Sequence, residues 1–393
     1  MIFHIDVNSA FLSWTAVKLL NEGYPQDIRQ IPAIVGGDST TRHGIVVAKS
    51  IPAKKYGIET AEPVASAMRK CPNLVMVPPE HKYYSQQSRM LMDYLRTFCP
   101  VIEQVSIDEC YMLYDPMKDR FASPEEAAYA IKDGVREKFG FTVNVGISDR
   151  KVLAKMASDF EKPDRVHTLY ASEIYEKMWP LPIRDLFMCG KSAAKKLSQM
   201  GIRTIGDLAQ TDRSIVESWL KSHGGMLWEF ANGIDESTVH PIREEVKGVG
   251  NSTTLERDVT TAKAAYPILK DLCQSVSARL KKKDFRANSI CVEIKYADFH
   301  SVSHQKGMYF SSNEVDDLWH DSVELFDELW NGEPIRLLGV RTTKLEHMDE
   351  PQQMNIFEFQ KQLESNERSR KLEDAMRQIN DKYGKDTIRR GSK

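Results

Sequence analysis

Three acidic residues carry the chemistry that this chain most clearly encodes. Asp108 and Glu109 are adjacent between a β-branched run and an aromatic-rich run, and Asp6 ends an apolar run that begins at Met1. A sheet that pairs these runs as strands would bring all three carboxylates to one edge. Magnesium prefers oxygen ligands, and two such ions about 4 Å apart can stabilise both the attacking and the leaving oxygen of a displacement at phosphorus. The residues therefore predict a site with two Mg2+ ions for phosphoryl transfer.

The adjacency of Asp108 and Glu109 sets a condition on the backbone. Neighbouring residues of a regular strand point to opposite faces of the sheet, so the two side chains can share a site only where the strand bends, as in a tight hairpin. An isolated Asp-Glu pair is more often an ordinary polar turn. The presence of Asp6 favours the metal-binding interpretation.

Size and composition indicate a multidomain globular protein. The chain has 393 residues, of which 41% are hydrophobic and 28% charged, and this predicts roughly two to four domains. The net charge of −2 argues against attraction of the whole protein to nucleic acid, so such binding must use local patches. No apolar run approaches about 18 residues, and we expect a cytoplasmic monomer that does not enter a membrane. The six dispersed cysteines are expected to be reduced core thiols.

Strand and helix patterns alternate over the first 162 residues. A strand at 2–7 and a helix at 9–20 are followed by a predicted small lobe, with strands near residue 34 and at 44–49 and helices at 52–56 and 63–71. The main sheet is predicted to resume at 74–77, and its later elements are a helix at 83–98, a hairpin at 101–114, a helix at 124–139 and a strand at 142–147. A β-α-β-β-α-β order of this kind is typical of an antiparallel sheet with helices on one face.

The rest of the chain is predicted to be helical first and mixed afterwards. The expected helices are at 171–179, 191–200, 204–210 and 215–231. Residues 232–246, with Gly, Pro and charges but no apolar periodicity, are typical of a linker. A second mixed region follows, with strands at 248–257, 289–297 and 335–343 and helices at 262–285 and 314–329.

Taken together, these residues make the chain similar to the Y-family translesion DNA polymerases, of the DNA polymerase IV kind, over almost its whole length. The motifs are 6–11, 106–111, the stretch from 143–148 on to Lys162, and a helix-hairpin-helix-like segment at 190–197. The resemblance implies an α+β multidomain right-hand polymerase with a ferredoxin-like palm, small fingers, a helical helix-hairpin-helix thumb and an α/β little-finger domain. The implied bounds are palm 1–20 and 74–166, fingers 21–73, thumb 167–231, linker 232–246, little finger 247–347 and a C-terminal tail 348–393.

The resemblance also implies roles for the acidic residues and their neighbours. The catalytic residues are Asp6, Asp108 and Glu109, which with the Val7 carbonyl would bind two Mg2+ ions. Phe11 matches the aromatic steric gate that would clash with a ribose 2′-hydroxyl, and Ala10 beside it is assigned to nucleotide contacts. The implied reaction is low-fidelity, template-directed synthesis from dNTPs on primer-template DNA.

Two positions in the small lobe depart from the family pattern. Where the family commonly places a tyrosine and an arginine on the triphosphate, this chain has Ile51 and Lys54. Lysine lacks the planar fork of arginine, so the clamp on the phosphates should be looser or supplemented. Lys162, which matches a family phosphate-binding lysine, is the candidate supplement. Both lysines could instead be ordinary solvated residues.

Two further regions are expected to contact DNA. Gly190 and Lys191 open a helix where the family usually has two glycines, the first of which is Met188 here. Backbone N–H groups at such a helix start can bind a DNA phosphate, although a plain helix–helix corner is the alternative. In the last domain, residues 242–306 contain twelve Lys and Arg against eight Asp and Glu, and residues 307–347 contain three against nine. This polarity favours one sheet face on the DNA backbone, contacted by Gly248, Asn251, Ser252 and Thr253.

A short peptide in the tail is similar to the bacterial sliding-clamp peptide. Gln353, Ile356 and Phe357 supply its glutamine and its two hydrophobic residues, and exposed apolar residues in a polar tail favour a docking role. An amphipathic turn packed on the enzyme is the alternative.

Two other functions use the same fold elements. A nucleotide cyclase can share a ferredoxin-like palm with paired acids, but it would not need the helix-hairpin-helix or the clamp peptide. A DNA-binding accessory protein with little turnover is disfavoured by the three carboxylates, although Ile51 and Lys54 keep that alternative open.

Overall fold

The computed structural model describes residues 1–38, 44–242 and 245–350. The chain divides into two compact units, Met1–Glu244 and Glu245–Lys393. All six cysteines are free and buried, as predicted. None of the helices in the described ranges is long and apolar enough to span a membrane.

The first unit begins with elements of both a large and a small sheet. These are β1 (Ile2–Val7), α1 (Ala10–Asn21), β2 (Ala33–Gly36), β3 (Val46–Lys49), α2 (Ile51–Lys54), α3 (Val64–Lys70) and β4 (Val75–Val77). The small sheet has the order β3-β2-β4. The prediction that residues 74–77 return to the main sheet is wrong, because β4 pairs in parallel with β2, Val75 opposite Ala33. A short apolar run indicates burial and does not specify the strand it pairs with.

The next elements complete the five-stranded main sheet. They are α4 (His81–Arg96), β5 (Ile102–Gln104), β6 (Glu109–Leu113), α5 (Pro124–Phe139), β7 (Val143–Ser148), α6 (Lys151–Asp159) and β8 (Val166–Thr168). The sheet order is β5-β6-β1-β7-β8, so the predicted β-α-β-β-α-β order is confirmed for β1, β5, β6 and β7. Strand β8 was not predicted and adds a parallel edge to β7. The start of α5 follows the prediction, because the Ser123 hydroxyl accepts a hydrogen bond from Glu126 N.

The two faces of the main sheet are covered differently. Phe3 and Ile5 of β1 pack into a core with side chains of α1, α4 and α5, including Trp14, Tyr84 and Ile131. Helix α6 packs on the opposite face, where Ala154 joins Ile2 and Tyr111. The expectation of helices on one face is therefore wrong for α6.

Residues 171–231 form a helical region, but two of its predicted helices are not continuous α-helices. Residues 171–178 form a 3-10 turn followed by a π turn, and another 3-10 turn spans Ile183–Asp185. The α-helices are α7 (Lys191–Gln199), α8 (Ile205–Gln210), α9 (Arg213–Leu220) and α10 (Ser222–Ala231). The single helix predicted at 215–231 breaks at Lys221, where φ is 56°. Buried Val216 and Leu227 lie on either side of the break, so apolar spacing could not reveal it.

The start of the predicted linker is attached to the main-sheet domain. Residues 232–242 form neither helix nor strand. The Asp235 carboxylate accepts a hydrogen bond from Val152 N at the start of α6, at 2.8 Å. Val239 is buried, and His240 N donates to the Glu103 carboxylate at 2.8 Å.

The second unit is a four-stranded antiparallel sheet with two helices. Its elements are β9 (Gly248–Val259), α11 (Ala262–Lys281), β10 (Phe285–Tyr296), β11 (Ser301–Ser312), α12 (Val315–Leu329) and β12 (Ile335–His347), and the strand order is β11-β10-β12-β9. The core joins Leu269 of α11 and Phe326 of α12 to Ile290 and Val292 of β10. Strand β11 was missed because its sequence is largely polar and exposed. Helix α11 ends four residues before the predicted bound, and Phe285 already belongs to β10.

Candidate active site

The three predicted acids meet at one end of the main sheet. Asp6 is opposite Glu109 in the antiparallel pairing of β1 with β6. Asp108 precedes Glu109, and its carbonyl accepts a hydrogen bond from Val7 N at 3.0 Å. The register of the two strands therefore brings residues more than a hundred positions apart in the chain to adjacent sites on the backbone.

A tight turn lies directly before β6, next to the two adjacent acids. Val105 N and Ser106 N both donate to Glu109 O, at 3.1 and 3.3 Å, which closes a tight hairpin. The Ser106 hydroxyl donates to Asp108 Oδ1 at 2.6 Å and accepts from the backbone N–H groups of Asp108 and Glu109. The backbone thus bends directly before the two acids, and Ser106 bridges the bend.

Asp108 is the least compensated of the three carboxylates. Among the residues that the structure describes, it forms no ion pair, and its side-chain hydrogen bond comes from Ser106. Burial and the negative charges of Asp6 and Glu109 raise the pKa of Asp108, although the Ser106 hydroxyl opposes the shift. A divalent cation beside Asp108 would relieve this repulsion.

Asp6 and Glu109 are instead neutralised by two lysines. Lys162 Nζ lies 2.7 Å from Asp6 Oδ2, and Lys155 Nζ lies 2.9 Å from Glu109 Oε2 and 3.4 Å from Asp6 Oδ2. Burial opposes the charge of Lys155, but the carboxylates around it outweigh burial and raise its pKa. Contacts with His4 and Lys155 outweigh burial at Glu109 and lower its pKa to about 2.

The donor set fits magnesium by chemistry, although the side chains do not yet converge. Three carboxylates and the Val7 carbonyl are hard oxygen ligands of the kind Mg2+ takes. Within the described ranges, the one group of three acidic, His or Cys side chains with ligand atoms all within 4.8 Å is His320, Asp321 and Glu324. Asp6 and Glu109 face lysines, so sharing a cation with Asp108 would require these two side chains to rotate.

Lys155 and His4 belong to the site but were missed from the sequence. Lys155 lies on α6, and the side chains of Lys155 and Asp6 are each only 13% exposed. His4 is 1% exposed and its Nε2 lies 3.4 Å from Glu109 Oε2. His4 is two residues before Asp6 and so shares its face of the strand, which is the sequence feature that could have identified it.

The predicted steric gate rests on a rigid aromatic support. The Phe11 ring stacks on the Tyr84 ring with centroids 4.7 Å apart, and Tyr84 is fully buried. The Tyr84 hydroxyl lies 2.8 Å from Thr15 Oγ1, which also donates to Phe11 O. Ala10, which is predicted to contact the nucleotide, is buried in the same core.

The small lobe presents its substituted positions to solvent. Ile51 is 51% exposed, and Lys54 is exposed at the end of α2. Lys49, which was not predicted, is half-buried on β3, and burial together with the charge of Lys54 lowers its pKa. The lobe therefore offers two neighbouring lysines where a single lysine was expected.

In the predicted helix-hairpin-helix turn, the backbone at Met188 has a left-handed conformation of the kind that glycine favours. Met188 has a φ of 67°, a left-handed conformation that costs an ordinary residue about 1–2 kcal/mol. Gly190 precedes α7 with extended backbone and has open space around it. Lys191 begins α7 and is exposed, so the helix start is accessible.

On β9, the predicted DNA-contacting residues divide between two faces. Asn251 Nδ2 donates to Ser275 Oγ of α11 at 3.1 Å, so this side chain faces the helices, and Thr253 shares its face by alternation. The predicted contact of Asn251 with DNA stays a prediction, and Asn251 is itself among the residues that line the neighbouring cleft. Gly248 and Ser252 lie on the other face, and Ser252, Cys291 and Arg341 are among the residues that line a cleft of about 500 Å3. The clamp-peptide residues Gln353, Ile356 and Phe357 lie outside the described residues.

Comparison with known proteins finds relatives over almost the whole chain. Residues 5–159 match the impB/mucB/samB family, and residues 246–356 match the C-terminal domain of the same family. The chain is 44% identical to a DNA polymerase IV of Clostridium acetobutylicum over 391 residues, covering 99% of this chain and 97% of that one. It is 34% identical to DNA polymerase IV 1 of Bacillus subtilis, covering 100% and 92%. In fold it is similar to a solved Y-family DNA polymerase chimera, Dbh-Dpo4(243-245)-Dbh, with a TM-score of 0.76, 24% identity and coverage of 87% and 98%.

Proposed function

The chain belongs to the impB/mucB/samB family of Y-family DNA polymerases, and on that basis we propose that Asp6, Asp108 and Glu109 form its active centre. It is a DNA-directed DNA polymerase of translesion synthesis. The observation that carries the proposed site is the pairing of Asp6 with Glu109 across β1 and β6, with Asp108 bonded to the next residue of β1.

The acids and the Val7 carbonyl would hold two Mg2+ ions. Bound there, these ions supply charge stabilisation for the primer 3′-oxygen and for the triphosphate during in-line displacement. Asp108 contributes a carboxylate that is not already neutralised by a lysine. The Ser106 hydroxyl donates to Oδ1, which leaves Oδ2 for a cation.

Lysines and an aromatic ring position the incoming nucleotide. Lys162, with a side chain 35% exposed, binds the triphosphate after leaving Asp6, and Lys54 binds it from the fingers lobe as a point charge. Phe11 excludes ribonucleotides because its ring, backed by Tyr84, has no room to retreat from a 2′-hydroxyl. The small fingers lobe leaves little protein to check the shape of the nascent pair, which favours low fidelity.

DNA is held through its backbone by two separate surfaces. The start of α7 at Gly190 and Lys191 offers N–H groups and positive charge to a phosphate. In the second unit, Gly248 and Ser252 on the open sheet face allow close approach of a strand, and Arg341 supplies charge there. Neither surface reads bases, as a polymerase that copies any template requires.

Further partners follow from the tail and the composition. Residues Gln353, Ile356 and Phe357 dock on the bacterial sliding clamp and raise the local concentration of the enzyme at primer ends. The polymerase acts as a monomer in the cytoplasm. The cyclase alternative is disfavoured because the family match extends over residues 246–356, a domain that cyclase chemistry does not use.

Primer extension tests the proposed centre. Wild-type protein is incubated with labelled primer-template, dNTPs and Mg2+, and is compared with Asp108→Asn and with Asp119→Asn, an exposed aspartate of the same domain. We expect ladders from wild type and Asp119→Asn and none from Asp108→Asn. Equal extension by all three proteins would refute the assignment, and no extension by any would favour the accessory function.

A further inference from the structure

A buried histidine stands directly behind the proposed metal-binding glutamate. His4 is 1% exposed in the middle of β1, with Tyr111 opposite it on β6 and Gly146 opposite it on β7. Its ring packs edge-on against the Tyr111 ring, with centroids 4.8 Å apart. Burying a polar group costs free energy unless the group has a hydrogen-bonding or charged partner. Both ring nitrogens of His4 have a polar atom of another side chain nearby.

Gly146 determines which partners reach the histidine. A Cβ atom at this position would lie 2.0 Å from Ala154 O and 2.5 Å from Ser158 N. The absence of a side chain therefore lets α6 lie directly on the backbone of β7, over the face that carries His4. Ser158 and Lys155, three residues apart on α6, share one side of that helix and reach His4 and Glu109 respectively.

The two ring nitrogens have different partners. Nδ1 lies 2.8 Å from Ser158 Oγ, and Nε2 lies 3.4 Å from Glu109 Oε2. A carboxylate oxygen can only accept, so it favours the tautomer with hydrogen on Nε2. The Ser158 hydroxyl, which also lies 2.8 Å from Lys155 O, has one hydrogen, and in this tautomer it donates that hydrogen to Nδ1 instead of to Lys155 O. At 3.4 Å, the Nε2–Oε2 contact is longer than an ordinary N–H···O hydrogen bond.

The contacts on Glu109 are asymmetric. His4 and Lys155 both contact Oε2, whereas Oε1 makes no hydrogen bond or ion pair within the described residues. Oε2 is thus held by His4 and Lys155, while Oε1 remains available to a ligand. An arrangement of this kind fixes the direction in which a carboxylate presents its lone pairs.

We infer that His4, oriented by Ser158, is a positioning residue that donates Nε2–H to Glu109 and so directs Oε1 toward a divalent cation. The inference rests on the proposed role of Glu109 as a metal ligand. Outer partners that orient a metal ligand typically change metal affinity or activity by about 10–100-fold when removed.

The test compares His4→Phe, Ser158→Ala, His4→Gln and Ser148→Ala. His4→Phe keeps an aromatic ring against Tyr111 and removes both nitrogens, and His4→Gln restores an N–H donor. Ser148→Ala is the matched control, because Ser148 is buried on β7 and bonds Leu169 O at 2.6 Å without touching the acids. Three quantities are measured: Mn2+ binding by electron paramagnetic resonance on the protein with primer-template alone, the single-turnover rate and dNTP Kd, and the melting temperature.

We expect His4→Phe to weaken Mn2+ binding and to lower the single-turnover rate by about 10–100-fold, with the dNTP Kd unchanged. Ser158→Ala should show a smaller loss of both, and His4→Gln should recover part of each. Mn2+ affinity and rate equal to those of Ser148→Ala would overturn the inference. If His4→Phe does not fold, Ser158→Ala is the deciding variant. A Mn2+ affinity of Ser158→Ala equal to that of Ser148→Ala would overturn the inference that Ser158 and His4 orient Glu109.

Glu109→Gln separates this inference from the proposed function. If Glu109→Gln binds Mn2+ and extends primers like wild type, the proposed role of Glu109 fails, and the role of His4 fails with it. If Glu109→Gln is impaired while His4→Phe and Ser158→Ala match the control, only the inference about His4 fails.

Discussion

Asp6 and Glu109 lie directly opposite each other on β1 and β6, and one ammonium group, that of Lys155, contacts both carboxylates at 3.4 and 2.9 Å. Two of the three acids are therefore neutralised by lysines. Asp108 has no such partner among the described residues. This asymmetry predicts that the acids affect stability in opposite directions.

Asp108→Asn should stabilise the fold in EDTA at pH 7 while abolishing synthesis. The pKa of Asp108 is raised in the folded state, so its ionised form destabilises the fold at neutral pH, and this penalty disappears as the pH falls below the ordinary range of an aspartate. Asparagine keeps an acceptor for Ser106 and removes the charge. Urea unfolding at several pH values measures the effect, with Asp119→Asn as the control that should not change. Added Mg2+ should stabilise wild type more than Asp108→Asn, and a less stable Asp108→Asn in EDTA would contradict the account.

Glu109→Gln should have the opposite effect on stability. Contacts with His4 and Lys155 lower the pKa of Glu109 from 4.5 to about 2, so its contribution is complete above the unfolded pKa and is lost as the pH falls toward 2. We expect the variant to lose about 2 kcal/mol of unfolding free energy at pH 7, somewhat less than the full shift because Glu109 is partly solvated. The difference from wild type, measured by urea unfolding, should shrink between pH 4.5 and pH 2. A difference that is constant over this window would show that Glu109 does not titrate as described.

Phe11→Ala should increase the use of ribonucleotides relative to deoxyribonucleotides. The ring is held against Tyr84, and its removal opens the space that a 2′-hydroxyl would occupy. The measurement is the ratio of kcat/KM for a matched rNTP and dNTP in single-nucleotide insertion. Phe98→Ala is the control, since Phe98 is a partly buried aromatic residue of the same core without contact to Phe11. An unchanged ratio in Phe11→Ala would remove the gate assignment.

Loss of the tail peptide should affect only synthesis stimulated by the clamp. Replacing Ile356 and Phe357 with alanine removes the two hydrophobic residues, so a clamp loaded on primer-template should no longer stimulate extension, while extension without the clamp stays at the wild-type rate. Gln352→Ala, next to the motif, is the control and should respond to the clamp normally. Full stimulation of the double variant would show that the clamp, if it binds, uses another surface.

The residues also show what sequence patterns can and cannot specify. The adjacency of Asp6, Asp108 and Glu109 on the backbone at one end of the sheet was predictable, because pairing of the two strands leaves few other arrangements. The pairing of β4 with β2 was not predictable, since a short apolar run does not specify which strand it pairs with. The break at Lys221 was hidden by apolar spacing that continues through it. Lys155 was missed because its role depends on α6 lying over Gly146, a contact between elements rather than a motif. His4 could have been identified from its place two residues before Asp6 on the same strand face.

Met188→Gly should stabilise the helical region by about 0.5–1 kcal/mol. Met188 occupies a left-handed conformation at a φ of 67°, which costs a residue with a Cβ atom about 1–2 kcal/mol. Glycine removes this cost from the folded state, but its greater freedom in the unfolded chain offsets part of the stabilisation. Met188 is 52% exposed, so little packing is lost with the side chain. Met188→Ala is the matched control, because it removes the same side chain and keeps the strained Cβ. Chemical unfolding of both variants measures the difference between them. A glycine variant no more stable than the alanine variant would show that the turn relaxes at no cost, and that the family glycine is missing here without consequence for the fold.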